Sequence, residues 1–260
     1  MSKINSKDGT MIAYEKTGSG PAVIIVDGAF CGKRFGPMIK IAPLLSESFT
    51  VITYDRRARG DSGDTQPYSV EREIEDIDTL IKIAGGSAYL FGISSGAILC
   101  LKAADSGLNI IKLALLEPPF VGNAKGRRPT NAEHQLRQMI SEGKKGEACE
   151  FYLRKVIGVP AIVPFILEFT SNWPKMKHNA ASLPNDAAVC GDFNLPKDLL
   201  SLIKIPAIVI DSSKSPQSLR KPVQAVAEAL RDGKQITLKG TAHDVPPKIL
   251  VPVLEKFFNE

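Results

Sequence analysis

A serine enclosed by two glycines, where an apolar run passes into a helix-prone stretch, is the feature that most constrains the fold of this chain. Residues 88–91 are apolar or aromatic, residues 92–96 read Gly-Ile-Ser-Ser-Gly, and the helix-prone stretch begins at Ala97. A serine at a sharp strand-to-helix turn needs small neighbours, because the strand and the helix approach each other closely there. The turn holds the serine hydroxyl near the positive end of the helix, where developing negative charge is stabilised. The motif therefore predicts that Ser94 is a nucleophile.

Apolar runs alternate with helical patterns along most of the chain. The runs predict strands at residues 11–14, 22–26, 49–54, 88–91, 111–116, 207–210 and 235–238. The helical patterns lie at residues 37–46, 70–84, 96–105, 218–231 and 248–258. Continuous apolar strands are typical of parallel sheets that are buried on both faces. We therefore expect an α/β fold with a doubly wound, mostly parallel sheet.

One long segment interrupts this alternation. About ninety residues separate the strand that ends at Leu116 from the next strand, which is far more than a crossover needs. Helical patterns at 131–142, 146–156 and 162–169 are followed there by a stretch rich in Pro, Asn and Asp. We interpret residues 118–198 as an inserted helical cap and residues 1–117 and 199–260 as the core domain. Trp173 is a candidate substrate contact in the cap, although packing within the cap explains it equally well.

Composition narrows the classes of function. The 260 residues are 43% hydrophobic, enough for a sizeable core, and the net charge of +5 comes from interspersed basic and acidic residues. Without a clustered basic face we expect no nucleic-acid partner. No apolar segment has the length of a signal peptide or a membrane span, so we expect a soluble, cytoplasmic monomer or homodimer without a membrane partner. The cysteines lack metal-binding spacing and are expected to be free thiols: Cys31, Cys100, Cys149 and Cys190.

A nucleophilic serine needs a general base, and this chain has three histidines. His134 and His178 fall in the predicted cap. His243 follows the last predicted strand and precedes the C-terminal helix. Its loop emerges at the same sheet edge as Ser94, so His243 is the predicted base.

Two carboxylates are candidates for the acid that orients the histidine. Glu117 ends an otherwise apolar strand, where burying a carboxylate is costly unless it is paired. Pairing with His243 offsets that cost and fixes the imidazole tautomer. Asp211 ends the strand after the cap, where it is also well placed to cap a turn. Both remain candidates at this point.

The loop after the strand at residues 22–26 is the predicted oxyanion site. It reads Asp-Gly-Ala-Phe-Cys-Gly from residue 27 onwards. The backbone amides of Ala29 and Ser95 are positioned to donate hydrogen bonds to a tetrahedral oxyanion. We expect Asp27 to brace the loop and Phe30 to form a wall of the substrate pocket.

Together these motifs resemble the α/β-hydrolase family over essentially the whole chain. The matching landmarks are residues 92–96, the loop at 26–28, the turn Asp-Arg-Arg-Ala-Arg-Gly-Asp-Ser at 55–62, and residues 240–243. The chain departs from the family where Asp27 replaces a usual histidine and where Ala58 and Arg59 replace the Gly-x of an Arg-Gly-x-Gly turn. That turn is structural in the family, so the resemblance implies no catalysis there.

Shorter motifs resemble the zearalenone-type lactone hydrolases. These are Asp-Gly in the oxyanion loop, Ser-Ser-Gly-Ala at 94–97 and Glu-Pro-Pro at 117–119. The triad acid of those enzymes is a glutamate after the same strand, which favours Glu117 over Asp211. In the commonest version of the fold the acid follows the later strand, and here that position holds Ser215.

We therefore expect a serine hydrolase that cleaves a small carboxylic ester or lactone through Ser94, His243 and Glu117, without a metal or an organic cofactor. Carbon–carbon bond hydrolysis, thioester hydrolysis and cofactor-free perhydrolysis are alternatives on the same fold. An alternative of another class is a ligand-sensing receptor that has kept only vestigial turnover.

Overall fold

The computed structural model describes residues 2–122 and 128–260. Residue 1 and residues 123–127, which fall within the predicted core and the predicted cap, lie outside the described residues. The strands are β1 (Ser2–Asn5), β2 (Met11–Thr17), β3 (Ala22–Val26), β4 (Thr50–Tyr54), β5 (Ala88–Ile93), β6 (Ile110–Leu116), β7 (Ala207–Ser212) and β8 (Gly233–Leu238).

These strands form one sheet in the order β1-β2-β4-β3-β5-β6-β7-β8. β1 and β2 run antiparallel to their neighbours, and the pairs from β4 through β8 are parallel. The mostly parallel sheet is therefore confirmed. β1 was not predicted, because it is a largely exposed edge strand that mixes polar residues with a single isoleucine.

Helices cover both faces of the sheet. They are α1 (Met38–Leu45), α2 (Val70–Ile83), α3 (Ser95–Asp105), α4 (Ala132–Ser141), α5 (Lys145–Phe151), α6 (Ile162–Glu168), α7 (Asn172–His178), α8 (Leu183–Cys190), α9 (Lys197–Leu202), α10 (Gln217–Ala229) and α11 (Pro247–Asn259). Side chains of α1 and α11 share one hydrophobic core with the sheet, and those of α2, α3 and α10 share the other. Two cores on opposite faces confirm the doubly wound arrangement. Within the described ranges, no helix has the length and apolar character needed to cross a bilayer.

The segment between β6 and β7 is more helical than its sequence indicated. The three predicted helices are present as α4, α5 and α6, and α5 continues into a π-helical turn at Tyr152–Ile157. The stretch rich in Pro, Asn and Asp, for which no helix was predicted, forms α7 and α8. Pro174 and Pro184 lie in the first turns of these helices, where the missing amide hydrogen costs no intrahelical bond. The predicted cap boundary at residue 198 falls inside α9.

Candidate active site

The predicted nucleophile and its candidate acid lie side by side at the C-terminal edge of the sheet. Ile93 of β5 pairs with Leu116 of β6, so the residues that follow these strands are neighbours. The Ser94 amide donates to the Leu116 carbonyl over 2.9 Å, and the Glu117 amide donates to the Ile210 carbonyl over 2.9 Å. The ends of β5 and β6, together with β7, thus hold Ser94 and Glu117 in adjacent positions.

The turn that carries Ser94 has the close approach that its glycines predicted. A Cβ on Gly96 would lie 2.1 Å from the Val26 carbonyl oxygen, and one on Gly92 would lie 2.6 Å from the Ala97 Cα. No side chain fits at those distances. Ser94 itself has φ 54° and ψ −121°, a conformation that costs free energy for any residue but glycine.

Unfavourable backbone angles concentrate at the candidate site. Among the described residues, six other than glycine have positive φ, and four of them are predicted site residues. Their φ angles are 66° at Phe30, 54° at Ser94, 46° at Glu117 and 58° at His243. Strained residues persist only where the surrounding structure holds them, and they cluster at functional sites. This pattern singles out the edge of the sheet where these four residues lie.

Glu117 and His243 are in direct contact. Glu117 Oε2 lies 2.6 Å from His243 Nδ1, and Glu117 Oε1 accepts the Ser212 amide over 2.9 Å. The carboxylate is fully buried, whereas the imidazole is 42% exposed. Burial acts to raise the pKa of Glu117, but the bonds from His243 and Ser212 outweigh it and hold the pKa below its ordinary value. An ionised Glu117 fixes the His243 tautomer that leaves Nε2 free to accept a proton.

Two serines that the sequence interpretation did not assign to the site hold the His243 loop. The His243 amide donates to Ser215 Oγ over 2.9 Å, and Ser212 Oγ donates to the Thr241 carbonyl. Ser215 occupies the position where the commonest version of the fold carries its acid, and here it supports the histidine backbone instead. The three serines of Ser-Ser-Lys-Ser at 212–215, which follow Asp211, were the available signal.

Asp211, the alternative acid, has other partners. Its buried carboxylate accepts bonds from Arg220 Nε at 2.6 Å, Thr237 Oγ1 at 2.8 Å and Gln235 Nε2 at 3.2 Å. These partners lie on α10 and β8. The structure brings Glu117, and not Asp211, into contact with His243.

The loop predicted to form the oxyanion site packs against Ser94. A Cβ on Gly28 would lie 3.0 Å from Ser94 Cβ, so the loop backbone passes directly beside the turn. Ala29 is half-buried, and Ser95 begins α3 at its positive end. In the described ranges the Ser94 hydroxyl makes no hydrogen bond, including to His243. Bonds of this kind are often long in ligand-free structures and tighten when substrate binds.

The two candidate pocket residues are buried. Phe30 is 6% exposed and meets Tyr152 edge to face, with ring centroids 5.4 Å apart. Trp173 is 7% exposed and packs in the larger hydrophobic core. Both side chains pack against other residues of the fold, and each remains a candidate wall of the substrate pocket. A separate surface pocket of about 360 Å³ lies beside Asp55, and its lining includes none of Ser94, Glu117 and His243.

The side chain of Asp27 does not brace the loop as expected. Neither carboxylate oxygen has a hydrogen-bond partner among the described residues, although the side chain is buried. Burial raises the pKa of Asp27 from 3.8 to about 7, against the lowering effect of Arg59 and Arg56. The loop is held through its backbone instead, since Arg56 Nη1 donates to the Asp27 carbonyl over 3.2 Å. No cluster of His, Cys, Asp and Glu in the described part of the chain is arranged to hold a metal ion.

Comparison with known proteins places this geometry in a family. A family model described as "Alpha/beta hydrolase family" matches residues 28–248, which include the turn of Ser94, the loop from Gly28 onwards and His243. The chain belongs to the alpha/beta hydrolase family. A solved alpha/beta hydrolase from Sphaerobacter thermophilus DSM 20745 is 41% identical, with a TM-score of 0.92 over 99% of this chain and 100% of that one. Family membership makes hydrolase activity the expected chemistry of the site.

Two further relatives of this alpha/beta hydrolase are more distant. The uncharacterized hydrolase YraK of Bacillus subtilis is 37% identical over 97 residues, and that match spans 36% of this chain and 35% of YraK. A thermophilic esterase from Thermogutta terrifontis is 19% identical, with a TM-score of 0.69 over 99% of this chain and 97% of that one. The esterase shares the fold, which by itself does not determine a substrate.

Proposed function

We propose that this protein is a serine hydrolase of carboxylic esters or lactones, with Ser94 as nucleophile, His243 as base and Glu117 as the orienting acid. The observation that carries the proposal is the 2.6 Å contact between a buried, ionised Glu117 and His243 Nδ1. A buried carboxylate bonded to this nitrogen stabilises the imidazolium that forms when the base takes a proton. The strained turn of Ser94 beside the loop of Gly28 adds independent support.

The proposed reaction has two halves. Ser94 Oγ attacks the carbonyl carbon while His243 takes its proton, and the amides of Ala29 and Ser95 donate hydrogen bonds to the oxyanion. The imidazolium then protonates the leaving alkoxide, which departs as an alcohol or, in a lactone, stays attached to the acyl chain. Water attacks the acyl-enzyme, His243 takes the proton of that water, and Ser94 regains its own proton when the acid product leaves.

Lactones belong in the first substrate panel beside simple esters. The Glu-Pro-Pro motif at 117–119 and Ser-Ser-Gly-Ala at 94–97 resemble those of zearalenone-type lactone hydrolases. The contact between Glu117 and His243 agrees with the glutamate acid of those enzymes. The ring of the substrate is a property of the pocket and is tested directly by comparing resorcylic macrolactones with short-chain nitrophenyl esters.

Labelling and kinetics test the proposal. We expect a fluorophosphonate probe to label the wild type and not Ser94→Ala, and we expect turnover of at least one ester or lactone. Glu117→Gln should lower kcat by about 10⁴, because the imidazole loses its orientation and its counter-charge. Asp211→Asn is the matched control, and its kcat should stay within about threefold of the wild type, since Asp211 has partners other than His243. Loss of activity in Asp211→Asn with retention in Glu117→Gln would refute the assignment, and a wild type without labelling or turnover would favour the ligand-sensing alternative.

A further inference from the structure

The carbonyl groups of the oxyanion loop are bound by buried side chains from elsewhere in the fold. Arg59 Nη1 donates to the Gly28 carbonyl over 2.6 Å and to the Cys31 carbonyl over 2.9 Å. Asn179 Nδ2 donates to the Phe30 carbonyl over 2.8 Å. Together with the Arg56 bond to the Asp27 carbonyl, these contacts satisfy the carbonyls on both sides of Ala29. The loop is thus held largely through its carbonyl groups, and the Gly28 carbonyl also accepts the Cys31 amide over 3.4 Å.

Arg59 is itself held by residues of the helical segment between β6 and β7. Its Nη2 donates to both carboxylate oxygens of Asp186 at 2.7 Å, and its Nε donates to Ser182 Oγ over 2.9 Å. Asp186 Oδ1 also accepts bonds from Arg56 at 2.9 Å and Ser95 Oγ at 2.8 Å. Burial acts to raise the pKa of Asp186, but Arg59 and Arg56 outweigh it and hold the pKa below its ordinary value. The buried cluster is therefore charged, with both arginines paired.

The direction of the Arg59 bond matters because of peptide geometry. In a trans peptide the carbonyl and the amide hydrogen point in opposite directions, so an arginine that binds the Gly28 carbonyl also sets the direction of the Ala29 amide. A charged donor on the carbonyl also polarises the peptide, and a polarised amide is a stronger donor. Asp186 acts in parallel on the second proposed donor, because it anchors the Ser95 side chain at the start of α3.

We propose that Arg59, held by Asp186, is the positioning residue of the oxyanion hole, which orients and polarises the peptide between Gly28 and Ala29. The inference rests on the proposed serine hydrolase function and adds a residue to it. It also gives a reason for an arginine at this place in the turn. Because Asp186 and Ser182 lie beyond β6, the helical segment and the oxyanion hole are energetically linked.

A pair of matched substitutions tests the proposal. Arg59→Lys keeps the positive charge, but its single nitrogen cannot bind Asp186, Ser182 and the Gly28 carbonyl in the way that three separate guanidinium nitrogens do. Arg57→Lys is the control: Arg57 is equally buried in the same turn, but it binds Asp76 and Asp8 and makes no bond to residues 27–31. We expect kcat to fall about tenfold to a hundredfold in Arg59→Lys with KM within about twofold. A misdirected amide loses part of the transition-state stabilisation that would be lost completely if the donor were removed. In Arg57→Lys, kcat should stay within about twofold of the wild type even if the melting temperature falls.

A transition-state mimic separates positioning from general loosening of the fold. A trifluoromethyl ketone forms a hemiketal with the serine, and its oxyanion occupies the same site. Its Ki should rise in Arg59→Lys by the same factor by which kcat falls, and should stay unchanged in Arg57→Lys. Equal kcat and Ki in Arg59→Lys and the wild type, or equal losses in both variants, would overturn the proposal.

Two further measurements keep the test decisive. If Arg59→Lys does not fold, Ser182→Ala replaces it, because it removes one acceptor from Arg59 without touching the loop, and an unchanged kcat there counts against the proposal. Hydrogen exchange of peptides that cover residues 27–31 should be faster in Arg59→Lys than in Arg57→Lys. Exchange needs no turnover, so a wild type that hydrolyses nothing would refute the proposed function, whereas unchanged exchange would refute the role of Arg59.

Discussion

The buried carboxyl group of Asp27, which has no hydrogen-bond partner in the described part of the chain, predicts an unusual dependence of stability on pH. Its folded-state pKa is raised from 3.8 to about 7 by burial. Between these two values the folded protein binds one more proton than the unfolded chain, so the free energy of unfolding falls as pH rises. The contribution of protonated Asp27 to the free energy of unfolding is complete below the unfolded-state pKa. It is lost as pH rises through the folded-state pKa. Above about pH 7 the full penalty of a buried, unpaired carboxylate is present.

The size of the effect follows from the shift. A rise of about three pKa units corresponds to about 4 kcal/mol, of which roughly 2 to 3 kcal/mol develops between about pH 5 and pH 8. Asp27→Asn abolishes this titration while it keeps the size of the side chain. Relative to the wild type, we expect Asp27→Asn to gain roughly 2 to 3 kcal/mol of stability on going from about pH 5 to pH 8.

Urea unfolding followed by tryptophan fluorescence and circular dichroism at both pH values measures this difference. The change in stability from about pH 5 to pH 8 is compared between the variant and the wild type, which cancels any pH-independent cost of placing an amide at the site. Asp198→Asn is the control, because it makes the same replacement at an exposed side chain on α9. A wild type and an Asp27→Asn variant whose stabilities run parallel across this pH range would refute the account of Asp27.

Three further predictions concern packing and structural charge. Gly96→Ala should abolish activity and lower stability by about 3 kcal/mol in thermal unfolding, because its Cβ would lie 2.1 Å from the Val26 carbonyl oxygen, and a fully active, equally stable variant would contradict this. Asp211→Asn should lower stability by about 1 to 3 kcal/mol in urea unfolding, because it weakens the ion pair with Arg220; an unchanged midpoint would show that the pair contributes nothing. Trp173→Ala should lower the free energy of unfolding by about 3 to 5 kcal/mol, because Trp173 is 7% exposed. Phe169→Ser, at a side chain that is 79% exposed, should change it by less than about 0.5 kcal/mol. Similar losses in these last two variants would argue against the described packing.

Local patterns were sufficient for most of the sheet and for the sharp turn that carries Ser94. The apolar runs of β3 through β7 are buried on both faces, so the physical requirement leaves a continuous signal in the sequence. The edge strand β1 has no such requirement and was missed. Gly92 and Gly96 were informative because steric closeness is a short-range property that only one residue type satisfies.

The cap helices show where local patterns fail. Proline and asparagine near residues 172–186 are common in loops, and no helix was predicted there. In the structure the prolines sit in the first turns of α7 and α8, where they fit a helix. Which end of a helix a proline occupies depends on where the helix begins, and buried residues such as Trp173 and Leu183 stabilise these short helices through tertiary packing.

The sequence by itself determined the alternation of strands and helices, the sharp turn of Ser94 and the place of His243 after the last strand. Each of these features is encoded by neighbouring residues. Only the tertiary structure decided which acid meets His243, since Glu117 and Asp211 both end apolar strands and differ only in what lies across from them. It also decided that Arg59 and Asp186 meet beside the loop of residues 27–31. Partners separated by more than a hundred residues leave no local pattern, and burial makes their pairing obligatory only once the chain has folded.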